Sequence, residues 1–415
     1  MSYPLGAAVT VADLTADPHP VLARLRAAEP VSWLPALEGW LVTRRDLAEQ
    51  VLRDARGFTV DDPRFTTARV VGPSMLSLDG SEHRRHRDPF ARALRRGDVS
   101  AGLAAFAGDE AARLVAALAA EAGGGAGGAA GRVGGAELRR GLAGPLAVAV
   151  MAEVLGLRDV DPATLLSWYD AIVAGVSVLT EAGAAAPVPA VAAAAVAGLG
   201  ESLEAAIRAP GAASLLAVAA GSAGLSIAEI KSNAAVMLFG GVETTEGMIV
   251  NALWHLLGDP EAVAAVTADR SLVGGVIGES LRLEPAAAVV DRYATADARL
   301  GGAAVRAGDL ISVSLAGANR DPAVFPQPDR FEPRRANARQ NLAFALGPHF
   351  CVGAQLAQLE TGAAITAALD GLPGLRLDPD RPTAPRGLVF RKPPALRVLW
   401  DPGGSGKARD RADMS

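Results

Sequence analysis

The stretch Phe344-Ala-Leu-Gly-Pro-His-Phe-Cys-Val-Gly353 contains the one cysteine of the chain, Cys351, and leads directly into a helix-forming run that starts at residue 354. A thiolate here would lie at a helix N-terminus, where free N–H groups and the helix dipole stabilise negative charge. Gly347 and Gly353 carry no side chains, so the backbone could approach a flat macrocycle, and Phe344 could cover the loop. The segment predicts a sulfur that ligates iron, and an inert buried cysteine is the alternative.

The pattern Phe-x-x-Gly-x-His-x-Cys-x-Gly resembles the haem loop of cytochrome P450 monooxygenases. Other segments resemble the same family in the right order, from about residue 83 to Phe390. The resemblance implies a mainly α fold with small β-sheets, in which haem lies between a long central helix and the helix after the cysteine loop. Ala345 departs from the pattern where glycine is common, and Gln358 departs where arginine is frequent. These departures leave the fine geometry of the loop and one surface contact open.

Composition indicates a globular protein with a large core. Half of the residues are hydrophobic and the mean hydropathy is +0.24, whereas no Pro/Ser-rich or charge-rich linker divides the 415 residues. We therefore expect a single domain over residues 1–415, with a polar, frayed tail at 403–415. A net charge of −5 argues against nucleic acid or an anionic membrane as a partner.

The chain is expected to be cytoplasmic. No basic segment precedes an apolar core near the N-terminus, where the first basic residue is Arg24, and a lone cysteine suits a reducing compartment. The longest uncharged stretch, residues 182–200, is mostly Ala and Gly and is interrupted by Pro187 and Pro189, so we reject a transmembrane helix there. The Gly/Ala run at 123–135 predicts a flexible surface connection.

Helical patterns dominate the sequence. Helices are predicted at 21–28, 46–53, 103–120, 144–155, 163–179 and 272–283, a hairpin at 31–33 with 39–43, and further strands within 300–314 and 396–400. The best-defined helix runs from 226 to 257, because Ser226 and Glu229 form a capping box and Gly258-Asp259-Pro260 supplies a stop. At 1.5 Å per residue it would span roughly 45 Å.

Two adjacent glycines, Gly240 and Gly241, weaken the middle of this helix by about 2 kcal/mol. They indicate either a local opening with close ligand approach or a packing contact with another helix. The segment Gly-Gly-x-Glu-Thr resembles the oxygen-activation motif of cytochromes P450, and on that resemblance Glu243 and Thr244 relay protons and water to dioxygen at the iron. A solvated Glu-Thr turn is the alternative, which an apolar helix disfavours.

Glu279 and Arg282 lie at i and i+3 of the helix predicted at 272–283, so their side chains share one face. An exposed ion pair worth less than about 1 kcal/mol is one interpretation. In the family, Glu-x-x-Arg is joined by an arginine from a later loop beneath the haem-binding segment. The segments 319–322 and 325–335 resemble that loop, which assigns Glu279, Arg282 and Arg335 a structural role.

Six arginines lie between 84 and 96, beside His83 and His86. Nucleic-acid binding is disfavoured, because the overall charge is negative and few aromatic residues are interleaved. The segment resembles the family's His-x-x-x-Arg, which implies that the propionates of haem are neutralised by a set of four residues: His83, Arg87, Arg292 and His349. The neighbouring arginines would then face a redox partner.

The resemblance implies a haem b oxidase, ligated by Cys351, that activates dioxygen with electrons from NAD(P)H through a separate ferredoxin or flavodoxin and its reductase. Hydroxylation of a small organic substrate in bacterial specialised metabolism is the default outcome. Oxidative C–C or C–N coupling is the alternative, because residues 58–79 are similar to enzymes that couple tryptophan-containing diketopiperazines. A non-catalytic haem-thiolate sensor or carrier is a third hypothesis. The family implies a pocket lined by Val70, Met75, Val236, Gly240, Val289, Val290, Val389 and Phe390.

Overall fold

Helices form most of the computed structural model, which describes residues 3–95, 97–123, 133–182, 186–208, 215–221 and 224–401. The helices are α1 Pro4–Ala7, α2 Val11–Ala16, α3 His19–Ala28, α4 Arg45–Arg53, α5 Thr66–Val71, α6 Gly80–Leu94, α7 Gly97–Gly123, α8 Gly144–Leu155, α9 Pro162–Ala182, α10 Ala190–Arg208, α11 Leu215–Ala220, α12 Ile227–Leu257, α13 Pro260–Ala268, α14 Val273–Leu283, α15 Leu315–Ala318 and α16 Ala354–Gly371.

The strands are β1 Val31–Leu34, β2 Gly39–Val42, β3 Phe58–Thr59, β4 Gly134–Glu137, β5 Val289–Ala294, β6 Ala298–Leu300, β7 Ala303–Val305, β8 Leu310–Ser314, β9 Arg376–Leu377 and β10 Arg397–Trp400. Among the described residues they form a five-stranded sheet in the order β1-β2-β8-β5-β3, a three-stranded sheet β4-β10-β9 and the pair β6-β7. The predicted hairpin is confirmed as β1 and β2, in antiparallel register with Val31 opposite Val42.

The predicted helices are confirmed, and several are longer than their apolar pattern. Residues 144–155 form α8 with the predicted bounds, whereas α7 and α9 extend beyond the predicted ranges at both ends. The additional residues of α9 begin at Pro162, a residue suited to the first turn of a helix because it lacks an N–H group. Polar and small residues at helix ends carry no apolar period, so the pattern underestimates the length.

One expected connection is partly a strand. Gly134 and Gly135, which we assigned to a flexible segment, belong to β4 and pair with β10. A Cβ atom at Gly134 would lie 2.4 Å from the indole of Trp400, so only glycine allows this strand to pass beneath the buried ring. Residues 124–132 of that segment, and the predicted tail at 403–415, lie outside the described residues.

Helix α12 crosses the molecule and is buried along most of its length. The predicted capping box is confirmed, because Ser226 Oγ accepts from the N–H of Glu229 and the Glu229 carboxylate accepts from the N–H of Ser226. A Cβ atom at Gly241 would lie 2.4 Å from Met151 Sδ in α8, whereas a Cβ atom at Gly240 would meet no atom within 4 Å. Gly241 is therefore a packing glycine, and Gly240 borders open space.

Within the described residues, two helical segments are long and apolar enough to cross a membrane, Pro162–Leu179 and Ala190–Arg208. They belong to α9 and α10, which pack against each other. The contact is close, because a Cβ atom at Gly175 would lie 2.5 Å from Cβ of Ala192. Small residues at this contact explain the Ala-rich composition of α10. Part of α10 falls in the stretch 182–200, for which we rejected a transmembrane helix. Residues 183–185 of that stretch lie outside the described part of the chain.

Candidate haem site

Cys351 lies between a short turn at Gly347–His349 and the first residue of α16. Its N–H donates to the carbonyl oxygen of Phe344 at 2.9 Å, which closes the loop. The side chain is accessible to solvent although protein atoms surround it, and this burial raises the pKa of the thiol. The N–H of Gly353 and the charge of Arg87 act in the opposite direction. Dehydration thus outweighs the helix N-terminus, and a bound metal cation is what would deprotonate the sulfur.

The backbone of the loop explains two of its small residues. Gly347 has φ of 71°, and a Cβ atom there would lie 2.4 Å from the carbonyl oxygen of Leu52 in α4. Ala345 has φ of 56°, a left-handed conformation that glycine adopts without strain. At Gly353 a Cβ atom would meet nothing within 4 Å, so this residue lies beside open space.

The imidazoles of His83 and His349 approach each other from α6 and the cysteine loop. Their ring centroids are 4.3 Å apart. His83 is 3% exposed, and its Nε2 has no hydrogen-bond partner. Burial, together with the positive charges of His349 and Arg87, lowers the pKa of His83 to about 4. His83 is thus a neutral imidazole with a free nitrogen at the place where α6 approaches the cysteine loop.

His349 Nε2 lies 2.8 Å from the carboxylate of Asp79, a residue that sequence reasoning missed. Burial acts to raise the pKa of Asp79, but hydrogen bonds from His349 and Thr59 and from the N–H of Val60 outweigh it, and the pKa falls to about 2. Asp79 precedes α6 directly, so its carboxylate ties the start of that helix to the cysteine loop. The pairing joins residues that are 270 positions apart, and no local pattern reveals it.

Arg87 and Arg292 bring two guanidinium groups to the same region. Arg87 donates to the carbonyl oxygen of Phe350 at 2.6 Å, and Arg292, in β5, donates to that of Asp291 at 2.7 Å. Within the described part of the chain neither guanidinium contacts a carboxylate. Burial lowers the pKa of both groups, because it removes water from each cation. Two half-buried to buried cations without a paired anion, beside an unpartnered imidazole, suit an anionic ligand.

The two residues predicted to relay protons are not bonded to each other. Thr244 Oγ1 donates to the carbonyl oxygen of Gly240 at 2.6 Å. The Glu243 carboxylate accepts from the hydroxyl of Tyr169 in α9 through Oε2, and its Oε1 pairs with Lys392 Nζ at 2.8 Å. Positions 240, 241, 243 and 244 are partly accessible in a stretch of α12 that is otherwise mostly buried. Thr244, which is one helical turn after Gly240 and bonded to its carbonyl oxygen, lies on the side of α12 where Gly240 borders open space.

Glu279, Arg282 and Arg335 come together in the interior. Arg282 donates two hydrogen bonds to Glu279, at 2.8 and 2.7 Å, and Arg335 Nε donates to Glu279 Oε1 at 2.8 Å. The side chains of Glu279 and Arg282 are 0% exposed. Both arginines also donate to backbone carbonyl oxygens of the loop at 319–330. The pair is therefore not a surface ion pair.

Known proteins are similar to this chain over most of its length. A family model described as Cytochrome P450 matches residues 201–373. Cytochrome P450 monooxygenase PikC of Streptomyces venezuelae is 34% identical, over 93% of this chain and 90% of its own length. Nocardicin C N-oxygenase of Nocardia uniformis subsp. tsuyamanensis is 32% identical, over 96% of this chain and 98% of its own length. The chain belongs to the cytochrome P450 family.

Solved P450 structures share the architecture. CxnD, described as a P450 enzyme for C–S bond formation in chuangxinmycin biosynthesis, superposes with a TM-score of 0.80 at 26% identity, covering 94% of this chain and 96% of that chain. The P450 fold predicted from the cysteine loop is confirmed. As a P450, the chain is an oxidoreductase that uses haem b, dioxygen and electrons from NAD(P)H supplied by redox partners. The accessible thiol, the unpaired guanidinium groups and the open space beside Gly240 and Gly353 fit haem.

The predicted pocket residues do not all face one space. Val290 and Arg292 share one face of β5, whereas Val289 lies on the opposite face, in a small gap lined by Leu14, Leu22 and Leu388. Strand alternation separates neighbours in this way, and the sequence pattern had not identified β5 as a strand.

The remaining pocket residues lie on several elements. Val70, Met75 and Val236 are buried in the main core of this P450. Val389 is 39% exposed, and Phe390 packs edge-on against Phe239 of α12 with ring centroids 5.9 Å apart.

Proposed function

We propose that the chain is a soluble, single-domain, cytoplasmic P450 that hydroxylates a small organic substrate of bacterial specialised metabolism, with Cys351 as the haem ligand. The observation that carries the proposal is an accessible thiol beside two buried or half-buried guanidinium groups that lack a carboxylate partner. The printed names of the two relatives, a monooxygenase and an N-oxygenase, support oxygen insertion as the outcome.

Haem, when bound, would supply an iron centre that activates dioxygen with two electrons and two protons, so that one oxygen atom enters the substrate and the other leaves as water. The chain's own residues hold and feed that centre. Cys351 would hold the haem iron as a thiolate, and His83, Arg87, Arg292 and His349 would bind the propionates. Thr244 Oγ1 donates its one proton to the carbonyl oxygen of Gly240 and keeps lone pairs that can accept a hydrogen bond from water, so it would orient that water, and it would pass a proton on only after it releases Gly240. Glu243 supplies the carboxylate of the same relay.

Exposed arginines of α6 provide a docking face for an acidic ferredoxin or flavodoxin. Arg84 is exposed in the first half of α6, whereas Arg92 and Arg95 are exposed at its C-terminal end, where Arg95 lies close to Val352 of the cysteine loop; the chain as a whole has a negative net charge. A local positive patch steers an acidic partner toward it. Arg85, expected in the same cluster, instead pairs with Glu82 and Glu229, and Arg96 lies outside the described residues.

Labelled dioxygen tests the proposed outcome. With surrogate ferredoxin and reductase, a substrate found by its shift of the Soret band should yield a monomeric product that carries one labelled oxygen atom by mass spectrometry. Dimers or adducts without inserted oxygen would contradict hydroxylation and support oxidative coupling, the outcome that the bond-forming CxnD represents among similar structures. Tryptophan-containing diketopiperazines belong in the screen, because a coupling enzyme of that class should bind them.

Thr244→Ala should retain haem and substrate binding but divert electrons to peroxide or water. The hydroxyl that would hand protons to dioxygen is lost, while the helix keeps its backbone bonds. The measurement is product formed per NAD(P)H consumed, and Thr244→Ser, which retains the hydroxyl, is the matched control. Unchanged yield in Thr244→Ala would mean that Glu243 or water suffices without it.

A further inference from the structure

The ammonium group of Lys392 lies between two carboxylates of α12 that are one helical turn apart. Its Nζ is 2.8 Å from Glu243 Oε1 and 2.5 Å from Glu246 Oε2. The other oxygen of Glu246 accepts from Arg139 Nε at 2.8 Å. All four side chains are at most 20% exposed, so their charges interact in a region of low dielectric constant.

The two carboxylates depend on Lys392 to different degrees. Glu246 has a second cationic partner in Arg139, whereas Glu243 is bonded, among the residues that the structure describes, to Lys392 and to the neutral hydroxyl of Tyr169. Lys392 could therefore move fully onto Glu246 and keep an ion pair while it releases Oε1 of Glu243. A lysine that is shared in this way controls whether Oε1 of Glu243 is paired with a cation.

Lys392 is held in place by the helix that carries both carboxylates. Asn251 of α12 donates through Nδ2 to the carbonyl oxygen of Arg391 at 2.9 Å and to that of Glu284 at 3.0 Å. The buried guanidinium of Arg391 donates to the Glu284 carboxylate at 2.5 Å and to the carbonyl oxygen of Gly387 at 2.7 Å. The backbone that carries Lys392 is thus fixed relative to α12, and the ammonium moves only through its flexible stem.

We propose that Lys392 is a positioning residue for Glu243. The ammonium group of Lys392 keeps the carboxyl group of Glu243 ionised and frees it for proton relay by moving onto Glu246. The inference rests on the proposed role of Glu243 in oxygen activation. It assigns a function to a lysine that lies 149 positions after Glu243 in the sequence and outside the motifs that indicate the fold.

Loss of the ammonium should change the charge state of Glu243. The groups that face its carboxyl are Tyr169 from α9, Lys392 from the loop before β10, and Glu246 on α12, with Arg139 behind Glu246. In Lys392→Met the cation is absent and the negative charge of Glu246 remains nearby. A partly buried carboxylate without a cation and beside a like charge takes up a proton.

Infrared difference spectroscopy on the haem-loaded full chain tests the proposal. Lys392→Met should show the C=O stretch of a protonated carboxyl group, and the band should vanish in the double variant with Glu243→Gln. Lys392→Arg, which keeps the charge, should not show the band, and Tyr169→Phe, which removes a neutral hydrogen bond, should not show it either. The yield of product per NAD(P)H should fall in Lys392→Met and recover in Lys392→Arg.

A normally loaded Lys392→Met protein without the band overturns the proposal, as does a band that persists after Glu243→Gln, because the proton would then be on another group. If Lys392→Met loses haem, Lys392→Gln gives the same comparison with a shorter, neutral side chain. The infrared signal needs no turnover. A wild-type enzyme that forms no oxygenated product would therefore contradict the proposed function, whereas an absent band contradicts only the role of Lys392.

Discussion

Replacement of Glu279 by alanine is expected to give a poorly folded protein with little haem. The change strands two guanidinium groups, those of Arg282 and Arg335, which both donate to this fully buried carboxylate. Breaking a buried ion pair by removing one partner costs on the order of 3 kcal/mol, a large fraction of the stability of a folded chain. The measurement is the melting temperature together with haem content.

Glu332→Ala is the matched control for this prediction. Glu332 also pairs with Arg335, at 3.3 Å, but its side chain is 45% exposed, so its loss should change stability by well under about 1 kcal/mol. Arg282→Ala should behave like Glu279→Ala, since it removes the guanidinium that bonds the carbonyl oxygens of Pro328 and Arg330 as well. Normal haem content and unchanged melting in both interior variants would show that the buried triad does not support the loop beneath haem.

Cys351→Ser is expected to abolish turnover. A neutral hydroxyl is a poor ligand for haem iron, and the loop loses the anion that its N–H groups and Arg87 would stabilise. The measurement is product formation with surrogate redox partners, alongside haem content. Ala345→Gly in the same loop is the control, because it relieves a left-handed residue without touching the sulfur and should retain activity. Wild-type turnover in Cys351→Ser would contradict the assignment of the ligand.

Local signals in the sequence were sufficient for much of the fold. The capping box of Ser226 and Glu229 located the start of α12, and the turn glycines Gly301, Gly302 and Gly308 all adopt positive φ between the short strands β6, β7 and β8. These features depend on residues that are a few positions apart, so they can be recognised in the sequence without the tertiary structure. The boundaries of α7 and α9 were less accurate, because their ends carry no apolar period.

The electrostatics of the candidate site depend on distant contacts that local patterns do not reveal. Glu243 was identified from a motif, but its partners Tyr169 and Lys392 come from α9 and the C-terminal loop. The thiol of Cys351 was expected to be acidified by its helix N-terminus, whereas the enclosing protein raises its pKa. The partners of Glu243 and the pKa of Cys351 both depend on elements that are far apart in sequence and enclose these side chains only in the folded protein.

The sequence predicted which segments carry site residues. It did not show which of two adjacent residues in a segment faces the site. Gly240 and Gly241 looked equivalent, yet one borders open space and the other packs on Met151. Val289 and Val290 looked equivalent, yet strand alternation directs them to opposite faces of β5. In both cases the two residues are adjacent in sequence but point in different directions from the helix or strand axis. One position therefore belongs to a pocket and the other to a packing contact.

The reduced, carbon monoxide-bound absorption spectrum tests the central claim, that Cys351 ligates haem iron as a thiolate. We expect the wild-type protein to show the red-shifted Soret band that marks thiolate ligation, and Cys351→Ser to lose that band while Ala345→Gly keeps it. Retention of the band in Cys351→Ser, or its absence from haem-loaded wild-type protein, would contradict the claim.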